Sequence, residues 1–294
     1  MRGPMFDDQR FIEQALYISL GKEESIVQNR LVAAGNINQG IYIETADSGF
    51  FLKVNFEQNL DIFEKEAAGL ELMKENTPLK IPEVYHVGRI ADRNFLLMEW
   101  IFSGSAKRSY WEELGLGLAQ MHMATRPSFG LDTHNYIASL VQDNANQISW
   151  SDFFVEKRLE PLIGKAYYEG LLDLDFYKTF QSIYPRMQEI FPKEKPALLH
   201  GDLWSGNIMC NEMGSAVFID PAVYFGHREM DLAFAQLFGG FDDRFYRAYQ
   251  EVFPLEPGFD LRVPVYNLYP LLVHLLLFGK SYLSGIRKTV NSLL

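Results

Sequence analysis

The run Leu198-Leu199-His200-Gly201-Asp202-Leu203-Trp204-Ser205-Gly206-Asn207-Ile208, followed by Val217-Phe218-Ile219-Asp220-Pro221, constrains this chain more than any other stretch. An apolar strand enters a short polar loop, leaves as a second apolar strand, turns at 211–214 and returns over 215–219. That pattern predicts a hairpin with Asp202, Asn207 and Asp220 gathered at one end. An Asp beside a hydroxyl can accept its proton. An Asn carbonyl and a further carboxylate are hard oxygen donors, suited to Mg²⁺ and the phosphates it carries.

Upstream, the apolar spacing of Phe11, Ala15, Leu16 and Leu20 before Gly21 predicts an opening amphipathic helix. Ile41 and Ile43 alternate with polar neighbours, and Asp47-Ser48-Gly49 makes a turn. Phe50, Leu52, Val54 and Phe56 then face one way, with Phe51, Lys53 and Asn55 opposite. A helix over 61–75 and strands over 84–90 and 94–100 follow. Ser103-Gly104-Ser105 reads as a hinge, within a composition change over 101–107. Beyond it the spacing predicts helices over 111–124, 151–164, 174–190, 228–238, 242–252 and 265–283, interrupted only by the hairpin. The fold class is therefore α+β, with a β-rich lobe over 1–101 and a mainly helical lobe over 102–294.

Lys53, alone, would read as a solvated strand residue. Glu66 changes that reading, because it falls mid-face among Phe63, Ala67 and Leu70 on the following helix. A carboxylate there needs a cationic partner, and Lys53 is the natural one. Such a strand–helix pair is what kinases use to hold a lysine against ATP phosphates; a purely structural ion pair is the alternative. Gly35 and Asn36 sit in a small-residue loop upstream of Lys53, where backbone N–H groups can approach phosphate oxygens; an ordinary hairpin turn is the alternative. The loop lacks the Lys-Ser/Thr ending of a Walker motif. Met98, Glu99, Trp100 and Ile101 close the last strand of the first lobe, where backbone groups can meet an adenine edge; an ordinary buried strand running into a linker is the alternative. His200 reads as a structural hydrogen-bonding residue. Trp204 reads as a wall of the acceptor pocket or as a packing residue. Asp231 is read as an acid anchoring the catalytic loop through backbone N–H groups, or as a helix N-terminal acid favoured by the dipole.

Several classes are excluded. Over 294 residues the net charge is −11, and no basic cluster offers a nucleic acid the counterion release it requires. Cys210 is the only cysteine, which rules out an internal disulfide framework and fits a reducing compartment. The acidic N-terminus does not read as a signal peptide. The most apolar run, 268–278, contains Pro270 and His274, falls short of a membrane span and reads as a buried helix. The expected location is the cytoplasm, with no membrane, no nucleic acid and no obligate protein partner. The six histidines lack ligand spacing, and no Gly-x-Ser-x-Gly elbow is present.

The chain resembles the fructosamine kinase (ketosamine 3-kinase) family, within the aminoglycoside-phosphotransferase-like group of the protein-kinase fold. The likeness runs through Gly35-Asn36-Ile37-Asn38-Gln39, Phe51-Leu52-Lys53-Val54-Asn55, Phe63-Glu64-Lys65-Glu66-Ala67 and Asn135-Tyr136-Ile137. Its most specific parts are the Trp-Ser-Gly-Asn loop at 204–207 and Asp220-Pro221-Ala222-Val223-Tyr224-Phe225-Gly226. The resemblance implies a two-lobed protein-kinase-like fold and ATP with Mg²⁺ as cofactors. By it Asp202 matches the proton acceptor, Asn207 and Asp220 the metal ligands, and Lys53 with Glu66 the phosphate-holding pair. Met98 to Ile101 match the adenine site. The implied reaction phosphorylates the 3-hydroxyl of a ketosamine such as a fructosamine or ribulosamine. The phosphate then decomposes and frees the amine, which makes the reaction a deglycation repair. Ala33-Ala34 departs from the glycine-richer loop of relatives, and Asn36 stands where some carry a redox cysteine. Two alternatives stay open: a kinase of the same fold acting on another alcohol (an aminoglycoside, choline or a sugar), and a non-catalytic nucleotide-binding protein.

Overall fold

The computed structural model describes residues 8–34, 38–56 and 61–294. Gly35 and Asn36 lie outside the described residues. The chain opens with α1 (Gln9–Leu20), whose first turn is capped by Asp8 accepting from the Phe11 N–H at 3.2 Å, and which ends at Gly21 in the left-handed region. Strands β1 (Ile26–Ala34), β2 (Asn38–Thr45), β3 (Gly49–Asn55), β4 (Val84–Ile90) and β5 (Arg93–Glu99) form an antiparallel sheet in the order β1-β2-β3-β5-β4. Phe50, Leu52 and Val54 alternate on one face of β3 and meet Phe11, Ala15 and Leu16 of α1 in a small core. Phe56 falls past the end of β3 and is exposed.

Lys53 takes the opposite face of β3, toward α2 (Ile62–Asn76). Phe63, Leu70 and Met73 of α2 belong to the larger core of the molecule, which continues through the helical region. Gly69 permits this close approach: a Cβ there would lie 3.2 Å from Val223. Helix α2 thus joins the sheet to the segment that follows Asp220.

The expected hinge is tied down. The Gly104 N–H donates to the Cys210 carbonyl and the Lys107 N–H to that of Gly214, so the connection lies along the far end of the hairpin. After it come α3 (Tyr110–His122), β6 (Asn135–Ile137), β7 (Leu140–Gln142), α4 (Trp150–Phe153) and, beyond a π-helical turn at Phe154–Leu159, α5 (Glu160–Tyr168). Next are α6 (Leu174–Gln181), α7 (Met187–Ile190), β8 (Ala197–Leu199), β9 (Ile208–Cys210), β10 (Ala216–Phe218) and β11 (Tyr224–Gly226). Helices α8 (Glu229–Leu237), α9 (Asp243–Val252), α10 (Phe259–Tyr266), α11 (Leu268–Phe278) and α12 (Leu283–Leu293) complete the chain.

Several expectations need correction. The single helix over 174–190 is broken, with Pro185 in a 3₁₀ turn at Tyr184–Arg186. The helix over 151–164 passes through the π turn before Pro161. The last helix begins earlier than expected, and Gly279, at φ 91°, separates α11 from α12. Phe259–Phe278 therefore reaches the length and apolarity of a membrane span, which the run from 268 alone did not. Just over half of it is buried within the chain, and Arg262 forms a 2.6 Å ion pair with buried Glu229, as in a core helix. Strand pairing in the helical region also exceeds expectation: β8 pairs with β11, and β6 with β7, beside the expected β9–β10 hairpin.

Candidate active site

The loop over 200–207 is held from behind by backbone contacts. The His200 and Gly201 N–H groups donate to the two carboxylate oxygens of Asp231, in the first turn of α8, at 2.7 and 2.9 Å. Buried His122 of α3 approaches the same carboxylate at 3.2 Å and Tyr249 Oη at 2.8 Å. The His200 ring spans Ile219 O through Nε2 (3.0 Å) and the Asp202 N–H through Nδ1 (3.3 Å), which assigns a neutral tautomer with the proton on Nε2. Burial lowers its pKa, in agreement. Gly201 is required here: its φ is +81°, and a Cβ would lie 2.0 Å from the Ala222 carbonyl.

A 3₁₀ turn at Ser205–Asn207 then brings Asn207 back toward Asp202. The Asn207 amide nitrogen donates to the Asp202 backbone carbonyl and to Oδ2, each at 2.8 Å. Burial pushes the Asp202 carboxyl up to about 7; the Asn207 bond opposes this, and the negative charges of Asp220 and Asp231 add to it. Asp220 follows β10 at φ +52°, a left-handed conformation that is costly for a residue with a side chain and is found at functional sites. Its carboxylate points into the open, about half exposed.

Lys53 bridges the two regions. Its Nζ donates to Glu66 Oε1 at 2.6 Å and to Asp220 Oδ1. Burial would lower the lysine pKa, but Asp220 and Glu66 outweigh it and hold the ammonium charged. Glu66 is raised by its own burial, with Lys53 opposing.

These side chains line one cavity of about 250 Å³. It brings together Lys53, Glu66, Asp202, Trp204, Asn207 and Asp220. His200 and Asp231 lie behind the loop. Met98, Glu99, Trp100 and Ile101 do not line the cavity; Trp100 packs on Tyr42 with ring centroids 4.5 Å apart, and Glu99 pairs with Lys80 at 2.6 Å. The cavity wall also includes Lys65, Tyr136 and Ala138, which residue-by-residue reading did not single out. Tyr136 sits on β6, and its hydroxyl donates to Asp61 at 2.8 Å. The β6–β7 hairpin is locked to the site by Asn135 donating to the Val223 carbonyl and Gln142 to that of Ala222. The only signal for this wall was the Asn135-Tyr136-Ile137 triplet.

The donors suit a hard cation. With the Asn207 nitrogen committed to Asp202, its amide oxygen and the Asp220 carboxylate are the oxygens left to serve one. Among the described residues, no group of three or more His, Cys, Asp or Glu side chains is placed to hold a metal ion. A donor set of two protein oxygens fits Mg²⁺, which takes one or two of them and completes its shell with phosphates and water.

Residues 9–294 match the family model described as fructosamine kinase. A candidate ketoamine kinase of Enterococcus faecium is 39% identical over 263 residues, covering 89% of this chain and 93% of its own. The chloroplastic protein-ribulosamine 3-kinase of Arabidopsis thaliana is 35% identical over 280 residues, covering 93% and 85%. The crystal structure of a candidate fructosamine-3-kinase from Thermobifida fusca superposes with a TM-score of 0.87 at 32% identity, covering 96% of this chain and 98% of the other. With its antiparallel sheet region and helical region in the α+β kinase-like arrangement, the chain belongs to the fructosamine kinase family.

Proposed function

We propose that this protein is an ATP-dependent ketosamine 3-kinase, with residues 1–101 as the ATP-binding lobe and 102–294 as the catalytic and acceptor lobe. The observation that carries the reading is the three-way contact of Lys53 with Glu66 and Asp220, opposite Asp202 in one cavity. A buried ammonium held by two carboxylates is positioned rather than free, as phosphate binding requires.

In the proposed step the acceptor 3-hydroxyl oxygen bonds to the γ-phosphorus as the bond from phosphorus to the ADP oxygen breaks. The hydroxyl proton passes to the Asp202 carboxylate. Asn207 holds that carboxylate in place through its amide nitrogen. Lys53 holds the phosphate oxygens, and Glu66 keeps Lys53 from collapsing onto Asp220 alone. Mg²⁺, when bound at Asp220 and Asn207, would supply charge neutralisation at the phosphates. Gly35 and Asn36 are proposed to approach the phosphates from the loop. Met98, Glu99, Trp100 and Ile101 are proposed to flank the adenine. The N–H groups of Glu99 and Trp100 already donate to Glu83 and Gly49, so the Ile101 N–H is the donor proposed for it. His200 and Asp231 are proposed to hold the loop, and Trp204 to wall the acceptor. A cytoplasmic location is part of this proposal.

The test is an ATP-consumption screen with MgATP over ribulosyl-lysine, fructosyl-lysine, an aminoglycoside and choline. Turnover with the ketosamines and not with the other alcohols is expected. Turnover with choline or the aminoglycoside alone would replace the acceptor assignment.

A further inference from the structure

Trp204 faces the cavity on one side and begins a row of aromatic rings on the other. Its ring lies over Gly206, where a Cβ would come within 2.3 Å of the indole, so the turn fixes the ring in place. Phe238 meets it edge-on at 6.4 Å between centroids. His274 of α11 lies 4.8 Å from Phe238, and Phe278 lies 5.4 Å beyond His274. Gly240, at φ +93°, anchors the end of this row to the catalytic loop: a Cβ there would lie 2.7 Å from Ser205. Trp204, Phe238 and Phe278 are 39%, 41% and 65% exposed, and half-buried His274 links the last two, so three of the four rings are open to solvent.

A contiguous exposed aromatic strip marks a binding surface rather than a packing one. Among the described residues no guanidinium lies over these rings, although arginines cover many others. His274 Nδ1 is bonded to the Pro270 carbonyl at 2.7 Å, and burial lowers the pKa of the ring, so it presents a neutral face. The chain as a whole carries a net charge of −11, a field that favours a cationic over an anionic ligand.

We propose that this strip binds the amine-bearing part of the acceptor: a secondary ammonium and its hydrocarbon or aromatic substituent. The inference rests on the ketosamine kinase reading and deepens it. The sugar enters the cavity beside Asp202, and the substituent leaves along Trp204, Phe238 and Phe278. Ammonium over an aromatic face and hydrocarbon against exposed rings are the attractions involved. The strip is continuous with the cavity through one residue, which is the argument for the acceptor itself as occupant.

The test compares kcat/KM for the ribulosamines of benzylamine and methylamine in the wild type, Phe238→Ala, Phe278→Ala and Phe278→Trp. The wild type is expected to prefer the benzylamine derivative. Each alanine variant should reduce that preference about threefold to fivefold through KM, and Phe278→Trp should retain it. Because Phe278 is largely exposed, its truncation leaves the fold intact. A preference unchanged in both alanine variants would overturn the proposal. So would an unchanged preference with an altered oligomeric state, which would assign the strip to a second copy of the chain. Absence of turnover on every ketosamine would instead remove the kinase reading, and this inference with it.

Discussion

Asp202 is the residue proposed to take the acceptor's proton, and its environment sets the pH at which it could act. Burial raises its pKa to about 7 while Asn207 stabilises its charged form. Only the carboxylate accepts a proton, so kcat/KM should rise with pH, fall about tenfold per unit below that pKa, and level off above it. A pH–rate profile checks this; a flat profile between pH 5 and 7 would assign the base elsewhere. The convergence of Asp202, Asn207 and Asp220 on one cavity was legible in the sequence, because the start of a hairpin and its return strand end side by side. Tyr136 and Ala138 were not, since strands of three residues carry too little periodicity to read. His122 was missed because its contact with Asp231 joins positions far apart in the sequence.

At the scale of elements, the Lys53–Glu66 pair is the clearest link between pattern and structure. Strand alternation put Lys53 off the apolar face of β3, helical spacing put Glu66 among buried residues of α2, and desolvation required a partner. Lys53→Met leaves Glu66 buried without its cation, whereas Asp220 is exposed enough to turn to water. The substitution should lower unfolding stability by about 3 kcal/mol, and the added change Glu66→Leu should restore more than half of that. Urea midpoints at unchanged m-value measure both; no recovery in the double variant would mean the pair is not coupled. Other elements escaped the sequence for physical reasons. Strand β1 has Gln28, Asn29 and Arg30 at its centre and depends on pairing with β2 across two register shifts. The pairing of β8 with β11 is non-local. Apolar runs that continue across Pro185 and Gly279 outweighed the breaks that these two residues make between the later helices.

At the scale of the molecule, two cores meet around the cleft. The smaller joins α1 to one face of the sheet; the larger runs from α2 through the helical region. Lys53 leaves the sheet on the face away from α1 and pairs across the cleft with Asp220, so the site exists only where the sheet and helical regions meet. The chain's acidity gives an anionic nucleotide no general attraction, so in the proposed function the positive charge for phosphates would come from Lys53 and a metal ion. The most direct measurement of the central claim is phosphoryl transfer from MgATP to ribulosyl-lysine by the wild type and Asp202→Asn, alongside calorimetric nucleotide binding. The account predicts that ADP from the wild type equals the sum of phosphorylated product and freed lysine, with transfer reduced at least a hundredfold and nucleotide affinity nearly unchanged in the variant. Equal transfer by the variant, or none by the wild type while nucleotide still binds, would contradict it.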